Sequence, residues 1–355
     1  MSRIDRLREK LGKLGIDVYL ETYLPNIRYL TGFSGSNAFL FVGKDFSLFV
    51  SDPRYEEQSQ QEVTEAEIFI YRKDLFECKV NLPDTKLRLG VPADYIKCSL
   101  YDKIRENLDM FEIVLVEDPV RELRMTKTQE EVDLIRESQS ITDRIFEDIL
   151  KIIRPGGMTE LDVAAEIEYR MKKFGAEKPS FDTIVATGPH SALPHAKPRS
   201  VKIEVETPLL MDFGNYYRGY SSDMTRTVWV GENPPEKFVE IYKIVLEAQE
   251  WAENEARPGM TGKEIDNLAR EVIEKAGYGK YFGHSLGHGV GLEVHEYPRI
   301  SSLGNDPVTP GMVFTVEPGI YLPGLFGVRI EDIVVMKENG VEKLTESPKN
   351  LIKIF

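Results

Sequence analysis

His284-Ser285-Leu286-Gly287-His288-Gly289-Val290-Gly291-Leu292-Glu293-Val294-His295-Glu296 is the stretch on which the reading of this chain turns. The 355 residues include 5 histidines, and three of them, His284, His288 and His295, fall in this one run. Imidazole changes charge near neutral pH and is a common metal ligand. A single histidine reads as easily as a hydrogen-bonded or packed residue. Three in so short a run read as a site. His190 and His195 lie upstream, and no histidine precedes them.

Carboxylates in apolar settings give a second signal. Asp212 follows Pro208-Leu209-Leu210-Met211, and Glu317 follows Met312-Val313-Phe314-Thr315-Val316. Glu331 sits inside Val328-Arg329-Ile330-Glu331-Asp332-Ile333-Val334-Val335, which reads as a buried strand. An acid in such a strand is costly unless it is compensated, and a bound cation compensates it. Asp212 and Asp223 flank the turn Gly214-Asn215-Tyr216-Tyr217-Arg218-Gly219-Tyr220, so adjacent strands can bring both together. With His288, the four carboxylates are too rich in oxygen for a tetrahedral structural zinc site. Two divalent ions would neutralise them. Mixed carboxylate and imidazole ligation suits manganese, cobalt, iron or zinc. Two such ions about 3.5–4 Å apart can activate water and polarise a carbonyl.

Around this centre the chain reads as two domains of mixed α/β character. Residues 3–14 have helical apolar spacing. Strand-like runs follow at 17–20, 38–42, 47–50, 67–71, 88–91 and 112–116, with helical patterns near 55–61 and 101–108. Residues 1–120 make a first domain and 121–127 a linker. The remainder, 128–355, opens with a long helix over 128–153, striped by Leu134, Ile141, Ile145, Ile149 and Ile152. Arg154-Pro155-Gly156-Gly157-Met158-Thr159 then resembles Arg257-Pro258-Gly259-Met260-Thr261. Each precedes an amphipathic helix, and Thr159 is a candidate N-cap. The repeat points to two similar halves, or to shared helix-start chemistry. Strands are expected at 183–187, 209–213, 226–230, 312–316 and 332–336.

Composition narrows the function. Hydrophobic residues are 41% and charged residues 29%, enough to build a core and to exclude disorder as the main state. The net charge of −14 makes the chain a poor binder of phosphate backbones, so no nucleic-acid partner is expected. Two cysteines, Cys78 and Cys98, cannot make a disulfide framework and suit a reducing compartment. No apolar run approaches the ~20 residues that span a bilayer, and the first residues lack a signal-peptide core. A cytoplasmic protein without a membrane partner is expected.

The run 284–296, the pair Asp212 and Asp223, Val316-Glu317-Pro318-Gly319 and Val328-Arg329-Ile330-Glu331-Asp332 together resemble the motif blocks of the pita-bread metallopeptidases. The resemblance is to the branch of prolidases and Xaa-Pro aminopeptidases. Asn26-Ile27-Arg28-Tyr29-Leu30-Thr31-Gly32-Phe33 is similar to the creatinase-type N-terminal domain of that branch. The resemblance implies a creatinase-like domain followed by a pita-bread catalytic domain with pseudo-two-fold halves. It implies that Asp212, Asp223, His288, Glu317 and Glu331 bind two divalent ions (manganese, cobalt or zinc), with Asp223 and Glu331 bridging them. A metal-bridging hydroxide would attack the carbonyl before proline. Glu317 would shuttle the proton, and His195 and His295 would steady the oxyanion. His284 would orient groups by hydrogen bonding or act directly. Arg329 would balance charge, sharing a strand face with Glu331. Tyr321 would hydrogen-bond near the site or pack beside it. Arg299 is the candidate clamp for a free proline carboxylate, or else a solvated surface residue. His190 reads as a loop residue. The implied activity is hydrolysis of Xaa-Pro dipeptides. The alternatives are an Xaa-Pro aminopeptidase on longer peptides and a non-catalytic peptide-binding protein on the same scaffold. A homodimer is also implied.

Overall fold

Ile4, Leu7 and Leu11 fall on one face of the first helix, α1 (Arg3–Leu14), and are buried there. A reciprocal pair of hydrogen bonds between Ser2 and Asp5 caps its start. The computed structural model describes residues 1–78 and 87–355. It comprises two compact units, Met1–Arg124 and Met125–Phe355. Among the described residues no helix is long and apolar enough to cross a membrane.

After α1 the first unit runs β1 (Val18–Glu21), α2 (Leu24–Thr31), β2 (Phe39–Gly43), β3 (Ser47–Ser51), α3 (Glu56–Glu62), β4 (Glu67–Ile70), β5 (Leu87–Pro92), α4 (Cys98–Asn107) and β6 (Phe111–Val116). The strands form one mixed sheet in the order β4-β3-β2-β1-β5-β6. The six strand-like runs of the sequence are its six strands, with shifted ends. Helix α2 was not expected from the pattern. Its Asn26 is fully buried and donates to Glu21 at 2.9 Å and to Asp118 at 3.0 Å. A polar residue on the inner face blurs the apolar period that identifies a helix. A short helix, α5 (Arg121–Met125), occupies most of the stretch read as a linker.

The second unit begins with α6 (Gln129–Ile152) and α7 (Glu160–Lys173), followed by β7 (Lys178–Pro179), β8 (Ile184–Thr187), β9 (Thr207–Phe213), β10 (Asn215–Tyr217), β11 (Tyr220–Ser221) and β12 (Met224–Val230). Next come α8 (Glu236–Glu255), α9 (Gly262–Lys275), β13 (Gly287–Gly289), β14 (Glu296–Ile300), β15 (Val313–Val316), β16 (Gly319–Leu322), β17 (Phe326–Arg329), β18 (Asp332–Lys337), β19 (Gly340–Lys343) and β20 (Lys353–Ile354). Two sheets carry the unit, β20-β12-β9-β8 and β14-β13-β15-β18-β19. Helices α6 and α7 bury Ile145, Phe146, Ile149, Val163, Ile167 and Met171 against Leu209, Met211, Val228 and Val230 of the first sheet. Helices α8 and α9 bury Phe238, Ile241, Val245, Ile265 and Ile273 against Phe314, Val316, Val334 and Met336 of the second. Each such side chain, taken fully out of water, stabilises the fold by about 1.5–3 kcal/mol before entropy is charged against it.

The sequence repeat is structural. Thr159 caps α7 with Asp162, and Thr261 caps α9 with Glu264, each through the same reciprocal pair of bonds. The Ile203 amide donates to Met158 O at 2.9 Å, and in the other half the Val308 amide donates to Met260 O at 2.8 Å. The two halves are joined through a fully buried arginine. Arg226 on β12 donates to Glu331 O at 2.5 Å and to Asp332 Oδ1 at 2.6 Å.

Two expectations are corrected. The turn at 214–220 is itself a small hairpin, β10 with β11, extended by β7. The run 328–335 is not one strand. The chain leaves β17 at Arg329 and enters β18 at Asp332, with Glu331 in the corner, where its amide donates to Thr225 O at 3.2 Å.

Candidate metal centre

Strand pairing brings the carboxylates together. Asp212, near the end of β9, lies opposite Thr225 of β12. Asp223 immediately precedes β12, so the antiparallel pair puts it close to Asp212. Glu317 and Glu331 lie just past the ends of β15 and β17, in the corners that join the second sheet to the β16–β17 hairpin. His288 is the middle residue of β13, between two glycines. A Cβ on Gly287 would stand 2.0 Å from Thr315 O, and one on Gly289 would stand 2.2 Å from Tyr297 O. Only glycine lets the strands close around His288 on both sides.

The imidazole orientation follows from its partners. His288 Nδ1 lies 3.1 Å from Gly289 O, which can only accept, so the ring proton sits on Nδ1. Nε2 then presents a lone pair, 3.6 Å from Asp223 Oδ2 and 3.4 Å from Glu317 Oε1. Burial, with His295 adding to it, holds the His288 imidazole down at about 3. Ligand atoms of Asp223, His288 and Glu331 all lie within 4.8 Å of one another. Burial first, then Glu331 and Asp212, pushes the Asp223 carboxyl well up. Glu331 is pushed up by burial, then by Glu317 and Asp212. Glu317 is pushed up by burial and by the neighbouring acids, against the opposing pull of Arg329. Asp212 pairs with Arg329 through one oxygen, and its buried Oδ1 has no hydrogen-bond partner. Crowded buried carboxylates, a bare imidazole nitrogen and an unpartnered carboxylate oxygen are what divalent ions satisfy, so the donor set fits them.

The remaining predicted residues surround this cluster. A cavity of about 570 Å³ is lined by His195, His284, His288, His295, Arg299 and Arg329, among others, together with the carboxylates. His195 and His295 are open to it, and the His295 ring lies 4.2 Å from that of His288. His284 lines the same cavity and is held by hydrogen bonds. Its Nε2 meets Tyr321 Oη at 2.9 Å, and Arg329 donates to the same hydroxyl at 2.6 Å. Tyr321 therefore hydrogen-bonds rather than merely packs. Arg299 on β14 lies opposite His288 on β13, at the cavity wall. Although Glu331 is not on a strand, it still shares partners with Arg329. Arg329 Nε donates to Thr225 Oγ1 at 2.9 Å, and that hydroxyl donates to Glu331 Oε2 at 2.6 Å.

Sequence reasoning missed the two threonines. Thr225 is two residues from Asp223, and Thr315 is two residues from Glu317. The Thr315 hydroxyl accepts from the His288 amide at 3.2 Å and reaches Glu317 Oε1 at 3.3 Å. The two-residue alternation of a strand was the available signal.

A two-halved second unit, whose sheets converge on buried acids and one imidazole, defines a metallopeptidase of the pita-bread class. The chain belongs to metallopeptidase family M24, whose model matches residues 133–338, and residues 3–126 match the creatinase/prolidase N-terminal domain. It is 40% identical over 352 residues to an Xaa-Pro dipeptidase of Pyrococcus furiosus, covering 99% of each chain. A solved Xaa-Pro dipeptidase from Bacillus anthracis superimposes with a TM-score of 0.93 at 41% identity, covering 99% of both chains. A solved X-Pro aminopeptidase from Thermotoga maritima superimposes with a TM-score of 0.88 at 38% identity, covering 97% of this chain and 100% of that one.

Proposed function

We propose that this enzyme hydrolyses Xaa-Pro dipeptides, with two divalent ions held by Asp212, Asp223, His288, Glu317 and Glu331. The observation that carries the reading is the bare Nε2 of His288 facing Asp223 and Glu317, with Glu331 in reach and a cavity alongside. Asp223 and Glu331, whose ligand atoms lie within 4.8 Å of each other and of a ligand atom of His288, would be shared between the ions. When bound, the ions supply an acidified water and a Lewis acid for the scissile carbonyl. Manganese, cobalt and zinc all suit the donor set.

The chain's own groups do the rest. Arg329 holds Asp212 through one oxygen and leaves the other free for a cation. Tyr321 ties Arg329 to His284, fixing the far side of the network. Glu317 takes up a proton and passes it towards the proline nitrogen, which has no N–H of its own and leaves poorly without one. His195 and His295 face the cavity and donate to the carbonyl oxygen as charge develops there. Arg299 stands at the cavity wall to receive a free proline carboxylate. The same reading includes a homodimer, and a cytoplasmic location suits its two free cysteines.

The second reading is an Xaa-Pro aminopeptidase, favoured by the near-equal likeness to the Thermotoga maritima structure. Hydrolysis of Met-Pro beside Met-Pro-Ala by manganese-loaded enzyme separates the two. Met-Pro is expected to be the better substrate, and Arg299→Met is expected to raise its KM by about tenfold or more, the loss of a charge-assisted pair. Preferential cleavage of the tripeptide would transfer the assignment to the aminopeptidase. Cleavage of neither would leave a binding protein.

A further inference from the structure

Outside the metal centre, the most heavily bonded carboxylate in the second unit is Glu160, the first residue of α7. Its side chain is fully buried. Oε1 accepts from the Thr187 amide at 2.9 Å and Arg199 Nη2 at 3.0 Å. Oε2 accepts from the Arg199 amide at 2.9 Å and Arg199 Nε at 3.1 Å. His190 Nδ1 lies 3.1 Å from Oε1 and 3.2 Å from Oε2. One side chain therefore binds three points of a single segment: its start, its short helical turn and its end. That segment carries His195.

The hold is passed along the backbone. The Leu193 amide donates to His190 O at 3.1 Å, and the Ala196 amide donates to Leu193 O at 3.2 Å. From the other side, Arg329 donates to Pro194 O at 3.3 Å. Burial alone would push the Glu160 carboxyl up. Arg199 and the amides outweigh it, and the net direction is down, so the carboxylate stays charged and fully paired.

The repeat shows that helix initiation does not require this residue. Thr159 corresponds to Thr261 and Glu160 to Gly262, yet α9 starts with the same capping bonds as α7. At Gly262 there is no room for a side chain, since a Cβ would stand 1.9 Å from Arg299 O. In that half the backbone packs directly against the strand beside His288. In the first half the corresponding space is filled by a carboxylate that grips the His195 segment.

We propose that Glu160, with Arg199 and His190, is a positioning residue for the reaction: it fixes the segment 187–199 so that His195 stands at the substrate carbonyl. The inference rests on the role assigned to His195 above. It also gives His190 a structural partner in place of a plain loop position. A misplacement of about 1 Å in such a group can cost on the order of 10²-fold in rate.

The test is a double-mutant cycle on the manganese-loaded enzyme with Met-Pro. Glu160→Gln is expected to lower kcat by about tenfold or more, with KM changed by less than about threefold and metal content retained. In a His195→Ala background the same substitution is expected to cost less than about twofold, because both act through one group. Arg199→Met, at a half-exposed side chain, is expected to show the same pattern at smaller amplitude. If Glu160→Gln keeps its full effect without His195, or acts by losing metal, or leaves kcat unchanged, the positioning role is wrong. Should Glu160→Gln not fold, Arg199→Met and His190→Gln carry the same cycle and the same criteria. If His195→Ala alone leaves kcat unchanged, the catalytic reading of His195 fails first and takes this inference with it.

Discussion

Stripped of metal, the protein is expected to melt further below its manganese-loaded form at pH 8 than at pH 6, and manganese uptake at pH 7 is expected to release protons. Asp223, Glu317 and Glu331 are pushed well above the ordinary carboxylate range, in each case chiefly by burial. In the unfolded chain they titrate near about 4. The metal-free fold therefore binds more protons than the unfolded chain above that pH. Stability from these groups is full at low pH and is lost as pH rises through their folded values. A divalent ion reverses this, because it binds the carboxylates in place of their protons. Its affinity must then climb with pH. His288, held at about 3, is already neutral in this window and adds nothing to that climb. Glu21 and Glu253, each raised to about 7, belong neither to the ligand set nor to the cavity lining and are expected to cancel when loaded and stripped protein are compared. A hundredfold gain in affinity adds about 2.7 kcal/mol of stabilisation, or roughly 5–10 °C in a domain of this size. Calorimetric titration in two buffers of different ionisation heat counts the protons, and melting at both pH values reads the gap. Uptake without proton release, or a gap that narrows with pH, would contradict the carboxylate cage.

Much of this centre was legible because its residues are chemically odd for where they sit. Asp212 after four apolar residues and Glu317 after a hydrophobic strand stand out in any reading, and both lie where β9 and β15 run out. The repeat was legible because helix starts carry their own chemistry, and Thr159 and Thr261 each cap a helix. Other features resisted for definable reasons. The run 328–335 has the composition of one buried strand. What splits it is tertiary: Arg226 and Thr225 of the other half take the backbone of Glu331, and no local pattern encodes that. Helix α2 was hidden by a buried Asn26, whose partners are Glu21 and a residue far along the chain, Asp118. Glu160 looked like ordinary helix-start chemistry. Its distinction appears only when the other half is laid beside it and glycine is found in its place.

Glu317→Gln is expected to lower kcat by about 10²–10⁴-fold, the usual worth of a positioned general acid–base, while KM and metal content stay near those of the parent. Glu317 faces the Nε2 of His288 at 3.4 Å and the Thr315 hydroxyl at 3.3 Å, buried among the acids. Burial raises its affinity for a proton, with Asp223 and Asp212 adding to that and Arg329 opposing it. A carboxylate so placed takes a proton more readily than one in water, and efficiency is greatest when the proton affinity of the group matches the working pH. Glutamine keeps the shape, and its amide oxygen can still face the ions and accept from Thr315. It cannot take up a proton. Alanine would be the poorer test, because it removes a ligand and opens a cavity in the same step. The isosteric change keeps the shape but removes both the proton site and one ligand charge, so the metal content is what separates proton transfer from ligation. Steady-state hydrolysis of Met-Pro across pH, with metal measured by mass spectrometry on the same samples, reads both. The variant is expected to lose the acidic limb of the parent's pH profile. If kcat stays within tenfold at full metal occupancy, the proton travels by another group, and His195 or His295 becomes the candidate. If kcat and metal content fall together, the contribution of Glu317 is ligation, and the shuttle has to be sought elsewhere in the cavity.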